Sequence, residues 1–216
     1  MRSDTAEVLL AVDGVHSVDP DTLLCRLMSC EQNREYVKAI SRGVNANERL
    51  CAVELLLRVA GNYCDTSNLM LSRTDKGKPY FSGETDIIPH FSLSHTKDAV
   101  AVAVSLTHPV GVDIQTDDGF DEDKMLRVAK RFFSERELSQ MDGAQSFKRE
   151  FLRIWTCKEA VSKLYGTGQP HVYDMAQSSA CFHSFSYDSG QLSVCFEGDA
   201  WVSRDMSPKN FWTVKR

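Results

Sequence analysis

No apolar run in this sequence reaches the roughly 18 residues that a bilayer-spanning helix needs, which argues against a membrane anchor. An excess of cations is also missing. Lys and Arg number 25 against 30 Asp and Glu, a formal net charge of −5. Broad binding to nucleic acid or to an anionic membrane surface is therefore not expected. A small phosphorylated ligand still fits, provided a few cations are gathered locally. The seven cysteines are odd in number, include no Cys-x-x-Cys, and mostly sit beside apolar residues, as in LLCRLM and RLCAVELL. They read as small hydrophobes in a reducing cytosol, not as a zinc or disulfide framework. The six histidines show no metal-ligand spacing, and no acid–base triad pattern accompanies Ser94-His95. Tandem repeats, low-complexity tracts and long linkers are absent as well. The opening MRSDTAEVLLAVDG has one early arginine and an apolar run that Asp13 ends, so it makes a poor signal peptide.

What remains is a chain of 216 residues with 42% hydrophobic content, enough for one large domain or two small ones with a real core. Residues 7–12 read as a buried strand. Asp19-Pro20 offers an N-cap and a first-turn proline for a helix over about 21–30. A polar stretch with Arg34, Lys38 and Arg42 follows. Asn45 to Glu48 resembles a capping box that opens the amphipathic helix RLCAVELLLRVA, which stops at Gly61-Asn62. Residues 74–80 are turn-rich, 87–94 and 99–106 read as strands, His108-Pro109 breaks the chain, and 110–115 is a further short strand. After the acidic TDDGFDED come a helix over about 123–131 and a second helix capped by Ser134 and Glu137. The longest helix candidate spans 148–165 and ends at Gly166-Thr-Gly168. The tail from His171 is strand-like and loop-rich. Strands and helices mix without regular alternation, so the expected class is α+β. The seam is expected near His108-Pro109, dividing the chain into 1–108 and 109–216.

Four islands carry chemistry: Gly77-Lys78-Pro79-Tyr80, Phe91-Ser-Leu-Ser94-His95, Pro109 to Gln115 with Asp113 interrupting an apolar strand, and Trp155 to Gly166. Trp155, Glu159 and Lys163 recur every four residues and so share one helix face. Taken singly, each island has an ordinary explanation. GKPY suits a surface turn, an aspartate can start a turn, and Glu159 with Lys163 can be an exposed ion pair.

Together, GKPYF at 77–81, FSLSH at 91–95, VGVDIQ at 110–115, RFFSERE at 131–137 and WTCKEAVSKLYG at 155–166 resemble the 4′-phosphopantetheinyl transferase family, in its two-half, surfactin-synthetase-activating form. The resemblance runs from about residue 76 to 168. It implies two similar subdomains, each a small antiparallel sheet on a long helix, with the active site in the cleft between them. The first, 1–108, would be the coenzyme A-binding side, and the second, 109–216, the Mg²⁺-binding and catalytic side. It implies a cytoplasmic, monomeric enzyme. That enzyme moves the phosphopantetheine arm of coenzyme A onto a serine of an acyl or peptidyl carrier protein and releases adenosine 3′,5′-bisphosphate.

The residue types suit that chemistry. Attack on a pyrophosphate needs its charge neutralised, and Mg²⁺ takes one or two carboxylates plus phosphate and water oxygens. Asp113 and Glu159 are the expected ligands and catalytic acids, with Glu159 also the base for the serine hydroxyl. Lys163 is expected at the departing phosphate. Lys158, about 100° around the helix, is expected to approach the ligand from the side. Lys78, Ser94, His95 and Arg49 are the expected coenzyme A contacts, with His95 near the 3′-phosphate. Where the family often has a second acid after Asp-Ile, this chain has Gln115, expected at the metal through a bound water. Two other readings are a coenzyme A-dependent acyltransferase and an inactive module that binds coenzyme A or a carrier protein.

Overall fold

The computed structural model describes residues 7–118, 121–168, 174–187, 190–197, 201–203 and 211–215. Strand β1 (Glu7–Gly14) is followed by helices α1 (Pro20–Leu24), α2 (Glu31–Ser41) and α3 (Ala46–Ala60). A hairpin of β2 (Leu69–Arg73) and β3 (Pro79–Gly83) leads to β4 (His90–His95), β5 (Ala99–Ser105) and β6 (Val110–Gln115). Then come α4 (Glu122–Phe132), α5 (Glu135–Asp142) and α6 (Phe147–Tyr165), and finally β7 (Ala180–Tyr187), β8 (Gly190–Glu197), β9 (Trp201–Ser203) and β10 (Phe211–Lys215). Helices and antiparallel strands mix as the α+β expectation requires.

Strand β5, AVAVAVS, shows how the layers form. Its side chains alternate across the sheet. Val100, Val102 and Val104 join the core beneath α3, while Ala99, Ala101 and Ala103 face the other way. There they meet Val110, Val112 and Ile114 of β6 and Leu192, Val194 and Phe196 of β8. The small alanines let two sheets approach closely. The first sheet runs β4-β5-β1-β10-β9 and the second β6-β8-β7. On the far face of the second sheet, Cys195 packs against Ala160, Val161 and Leu164 of α6. Through the molecule the order is therefore α3, first sheet, second sheet, α6. β10 returns from the end of the chain to pair with β1, so a cut at 108/109 divides the first sheet between both halves.

Several local readings hold. Asp19 caps α1 with Pro20 at the first helical position. The Ser134–Glu137 capping box is formed in both directions. α6 ends on Gly166 in the left-handed region, at φ 63°. Others are corrected. The helix expected over 21–30 stops at Leu24, because the Met28 amide and the Arg26 carbonyl are drawn to Leu69 and Thr66. The polar stretch after it is helix α2, whose buried stripe of Asn33, Tyr36, Val37 and Ile40 has helical spacing. Asn45 does stand at the N-cap of α3, but at φ 59° and without a side-chain cap bond, so no capping box forms there. The strand pair β2–β3 was not read from the sequence. In TDDGFDED, Gly119-Phe120 lie outside the described residues, as do 169–173 and parts of the tail.

Candidate functional site

The site begins with Gly111. A Cβ there would lie 1.9 Å from the Ala160 carbonyl oxygen, so only glycine lets α6 lie this close on β6. That approach brings Lys163 Nζ to 2.7 Å from Asp113 Oδ1. Asp113 is almost fully buried, at 6% exposure. Its Oδ1 also accepts from Ser94 Oγ at 2.8 Å. The same Ser94 hydroxyl accepts the Ile114 N–H at 3.2 Å, and Ser92 Oγ accepts that of Val112 at 3.0 Å. Two serines on β4 thus meet alternate amides of β6, and they join the two sheets where Asp113 sits.

Glu159, one turn before Lys163, lines a cleft of about 230 Å³ together with Lys163, Lys78, Ser92, Leu93 and Gly166. Burial, and next the Asp113 carboxylate, push its pKa up from 4.5 to about 7, against the pull of Lys163. No hydrogen bond to the Glu159 carboxyl is formed among the described residues. A second cleft of about 360 Å³ shares Pro79 and Leu93 with the first and is lined by Arg49, Arg73, His95 and Tyr36. It is the local gathering of cations that an acidic chain needs to hold a phosphorylated ligand. Burial, with Lys163 and Arg49 nearby, holds the His95 imidazole below its ordinary range, so the arginines carry the charge there.

The expected residues thus separate into groups. Asp113, Glu159 and Lys163 converge. Arg49 and His95 converge in the neighbouring cleft. Ser94 is turned to Asp113 and the β6 backbone, so its hydroxyl holds the carboxylate instead of lying open to a phosphate. Lys78 lines the cleft, but its Nζ donates to the Leu164 carbonyl at 2.7 Å, closing the C-terminal end of α6. Burial lowers its pKa. Gln115 lies two residues beyond Asp113, and its side-chain amide donates to the Thr116 carbonyl at 3.1 Å. Lys158 is corrected outright. It is fully buried and its Nζ lies 2.9 Å from Glu137 Oε2, on the side of α6 away from the cleft. The helix angle that removed it from the Glu159 face carried it into the core, not to the flank of a ligand. Arg73 and Tyr36 were missed. Their guanidinium and ring lie 4.9 Å apart, and the alternation in LMLSR was the available signal.

The donor set suits a hard divalent cation. Two carboxylates approach from strand and helix, one of them resisting ionisation beside the other, and Mg²⁺ needs no more than this from a protein. Among the described residues no group of three His, Cys, Asp or Glu gathers, so the remaining positions would fall to water and phosphate oxygens.

Asp113 of a GVDI strand thus bonds Lys163 of a W-x-x-K-E-x-x-x-K helix, and Glu159 and Lys163 of that helix line the cleft. The 4′-phosphopantetheinyl transferase superfamily model matches residues 109–204. The 4′-phosphopantetheinyl transferase gsp of Aneurinibacillus migulanus is 30% identical over 155 residues, 68% of this chain and 62% of that protein. Residues 109–204 of this chain belong to the 4′-phosphopantetheinyl transferase superfamily. The transferase Sfp of Bacillus subtilis (strain 168) is 31% identical over 106 residues, 48% of this chain and 44% of Sfp. The transferase psf-1 of Bacillus pumilus is 40% identical over 81 residues, covering 37% and 33%. The matches therefore span at most about three-fifths of these superfamily members, and the superfamily model falls on the part that supplies Asp113, Glu159 and Lys163.

Proposed function

We propose that this chain transfers the 4′-phosphopantetheine arm of coenzyme A to a serine of an apo acyl or peptidyl carrier protein and releases adenosine 3′,5′-bisphosphate. The convergence of Asp113 with Lys163 and Glu159, the latter two lining one cleft, carries this reading. Asp113 and Glu159 would hold Mg²⁺, which when bound neutralises the pyrophosphate. Glu159, directly or through a water, would accept the proton of the carrier serine. Lys163 offers its ammonium to the phosphate on the departing side. Arg49 and Arg73 hold the phosphorylated end of coenzyme A in the adjoining cleft. Ser94 fixes the Asp113 carboxylate for this purpose.

In this reading the protein is a two-half enzyme of the surfactin-synthetase-activating kind, acting as a cytoplasmic monomer. Residues 1–108 supply most of the coenzyme A side and 109–216 the metal and catalytic side. The cationic cleft, built from α2, α3, β2 and β4, supports that division.

Intact-mass measurement of apo carrier proteins with coenzyme A and Mg²⁺ tests the proposal. The transferred arm adds about 340 Da per carrier, with a covalent bond formed at serine. With acyl-coenzyme A supplied instead, release of free coenzyme A without adenosine bisphosphate would identify an acyltransferase. Binding of coenzyme A without any mass gain across a carrier panel would identify a binding module.

A further inference from the structure

The RFFSERE segment is not part of the cleft lining, yet three of its side chains, Phe132, Phe133 and Glu137, touch α6. Phe132 packs on Trp155 with ring centroids 5.6 Å apart. Phe133 stacks on Phe151 at 5.5 Å and presents its ring to Lys158 Nζ at 5.8 Å. Ser134 caps α5. Glu137 makes three contacts from one buried carboxylate. Its Oε2 meets Lys158 Nζ at 2.9 Å and accepts the Ser134 N–H at 2.8 Å, and its Oε1 accepts the Met175 N–H at 3.0 Å. Side-chain exposure is 0% for Lys158 and 2% for Glu137.

We propose that RFFSERE is a socket that sets the rotation of α6, and that Glu137 is its positioning residue, acting on the cleft through Lys158. A buried ion pair is a poor way to gain stability, since apolar replacements of similar volume are often neutral or better. Its use here is directional. Successive helix residues are about 100° apart, so clamping Lys158 fixes where its neighbour Glu159 points. On another side of α6, Thr156 bonds Ser193 at 2.7 Å and Ala160 lies on Gly111. Between these two attachments the helix has little freedom to turn. The lever is sensitive: a glutamate carboxylate lies about 6 Å from the helix axis, so a rotation of about 10° moves it about 1 Å. A displacement of that size is enough to cost a reaction about 10²-fold.

The test is Glu137→Gln/Lys158→Met, which removes both buried charges while glutamine keeps an acceptor for one of the two backbone amides. Thermal unfolding, Mn²⁺ titration by electron paramagnetic resonance without substrates, and single-turnover transfer at saturating coenzyme A are compared with wild type. We expect unfolding within about 10 °C of wild type, the scale of one lost amide acceptor, Mn²⁺ affinity at least about five-fold weaker, and transfer at least about ten-fold slower, with the coenzyme A KM within about three-fold. Wild-type Mn²⁺ affinity and transfer in the folded double variant would overturn the proposal. If the double variant does not fold, Glu137→Asp keeps the charge but shortens the arm by one methylene, and it carries the same expectation and the same refutation. The transfer arm rests on the function proposed above. A wild-type protein that binds Mn²⁺ but modifies no carrier refutes that function and leaves the Mn²⁺ comparison in force.

Discussion

Lys163 Nζ bonds Asp113 Oδ1 at 2.7 Å, across the seam between α6 and β6. The ammonium lowers the pKa of Glu159 even as Asp113 raises it. A bound divalent cation would compete with it for the same carboxylate. We therefore expect Lys163→Met to bind Mn²⁺ as tightly as wild type or more tightly, because a like charge has been removed. Single-turnover transfer should nevertheless drop by about 10² or more, the scale for losing a group that stabilises developing charge. Wild-type transfer at saturating coenzyme A would reduce Lys163 to a structural partner of Asp113.

Ser92 and Ser94 invite a paired comparison. Each accepts one buried β6 amide, but only Ser94 also holds Asp113. Ser92→Ala and Ser94→Ala should each lower unfolding free energy by about 1–3 kcal/mol, the cost of an unsatisfied buried amide. Mn²⁺ affinity should fall only in Ser94→Ala. Equal affinities in the two variants would show that the hydroxyl does not position the carboxylate.

Glu159 predicts a pH signature. Its folded pKa is raised from 4.5 to about 7, so the folded state holds this proton more tightly than the unfolded chain does. Its contribution to stability therefore falls as pH rises from 4.5 to about 7. In a chelator, Glu159→Gln should match wild type near the bottom of that window. Above it the variant should be the more stable by an amount on the order of 1 kcal/mol, allowing for water at this half-buried group. Mg²⁺ should narrow the difference by favouring the carboxylate. Thermal unfolding across the pH range, with and without Mg²⁺, checks both statements, and a variant less stable than wild type at high pH would contradict them.

Gly111→Ala should be costly for a steric reason. The new methyl would meet the Ala160 carbonyl at 1.9 Å and the Leu164 amide at 2.8 Å, both backbone atoms of α6. The helix must lift, at about 3 kcal/mol or more. The Lys163–Asp113 contact should open and transfer should be largely lost, even under conditions where the variant remains folded. Urea unfolding and a transfer assay at low temperature separate the two effects.

Arg49 and Arg73 line the second cleft, and burial holds His95 of the same cleft toward its neutral form. Replacing either arginine with alanine should raise the coenzyme A KM more than it lowers kcat, since such contacts bind ground and transition states alike. His95→Ala should have the smaller effect at neutral pH. A larger effect from the histidine would reassign the charge of this cleft.

Much of this protein was legible in its sequence, because much of it rests on local rules. The Ser134–Glu137 cap, the Gly166 stop and the alternation of β5 act within a few residues, so reading along the chain recovers them. The ordered motifs likewise pointed to Asp113, Glu159 and Lys163 before any contact was known. Position within those motifs did not decide what each side chain touches. Lys158 is adjacent to Glu159 in sequence, yet it lies in the core, because a step of 100° turns it from the cleft to Glu137. Ser94 holds Asp113 because β4 happens to run beside the outer edge of β6. Arg73 joins the cationic cleft because the β2–β3 hairpin brings it to Tyr36, and β10 completes a sheet begun by β1 at the other end of the chain. Those outcomes depend on which distant segments bury each other. The free energy of that burial comes from the assembled layers, and no stretch of sequence contains it alone.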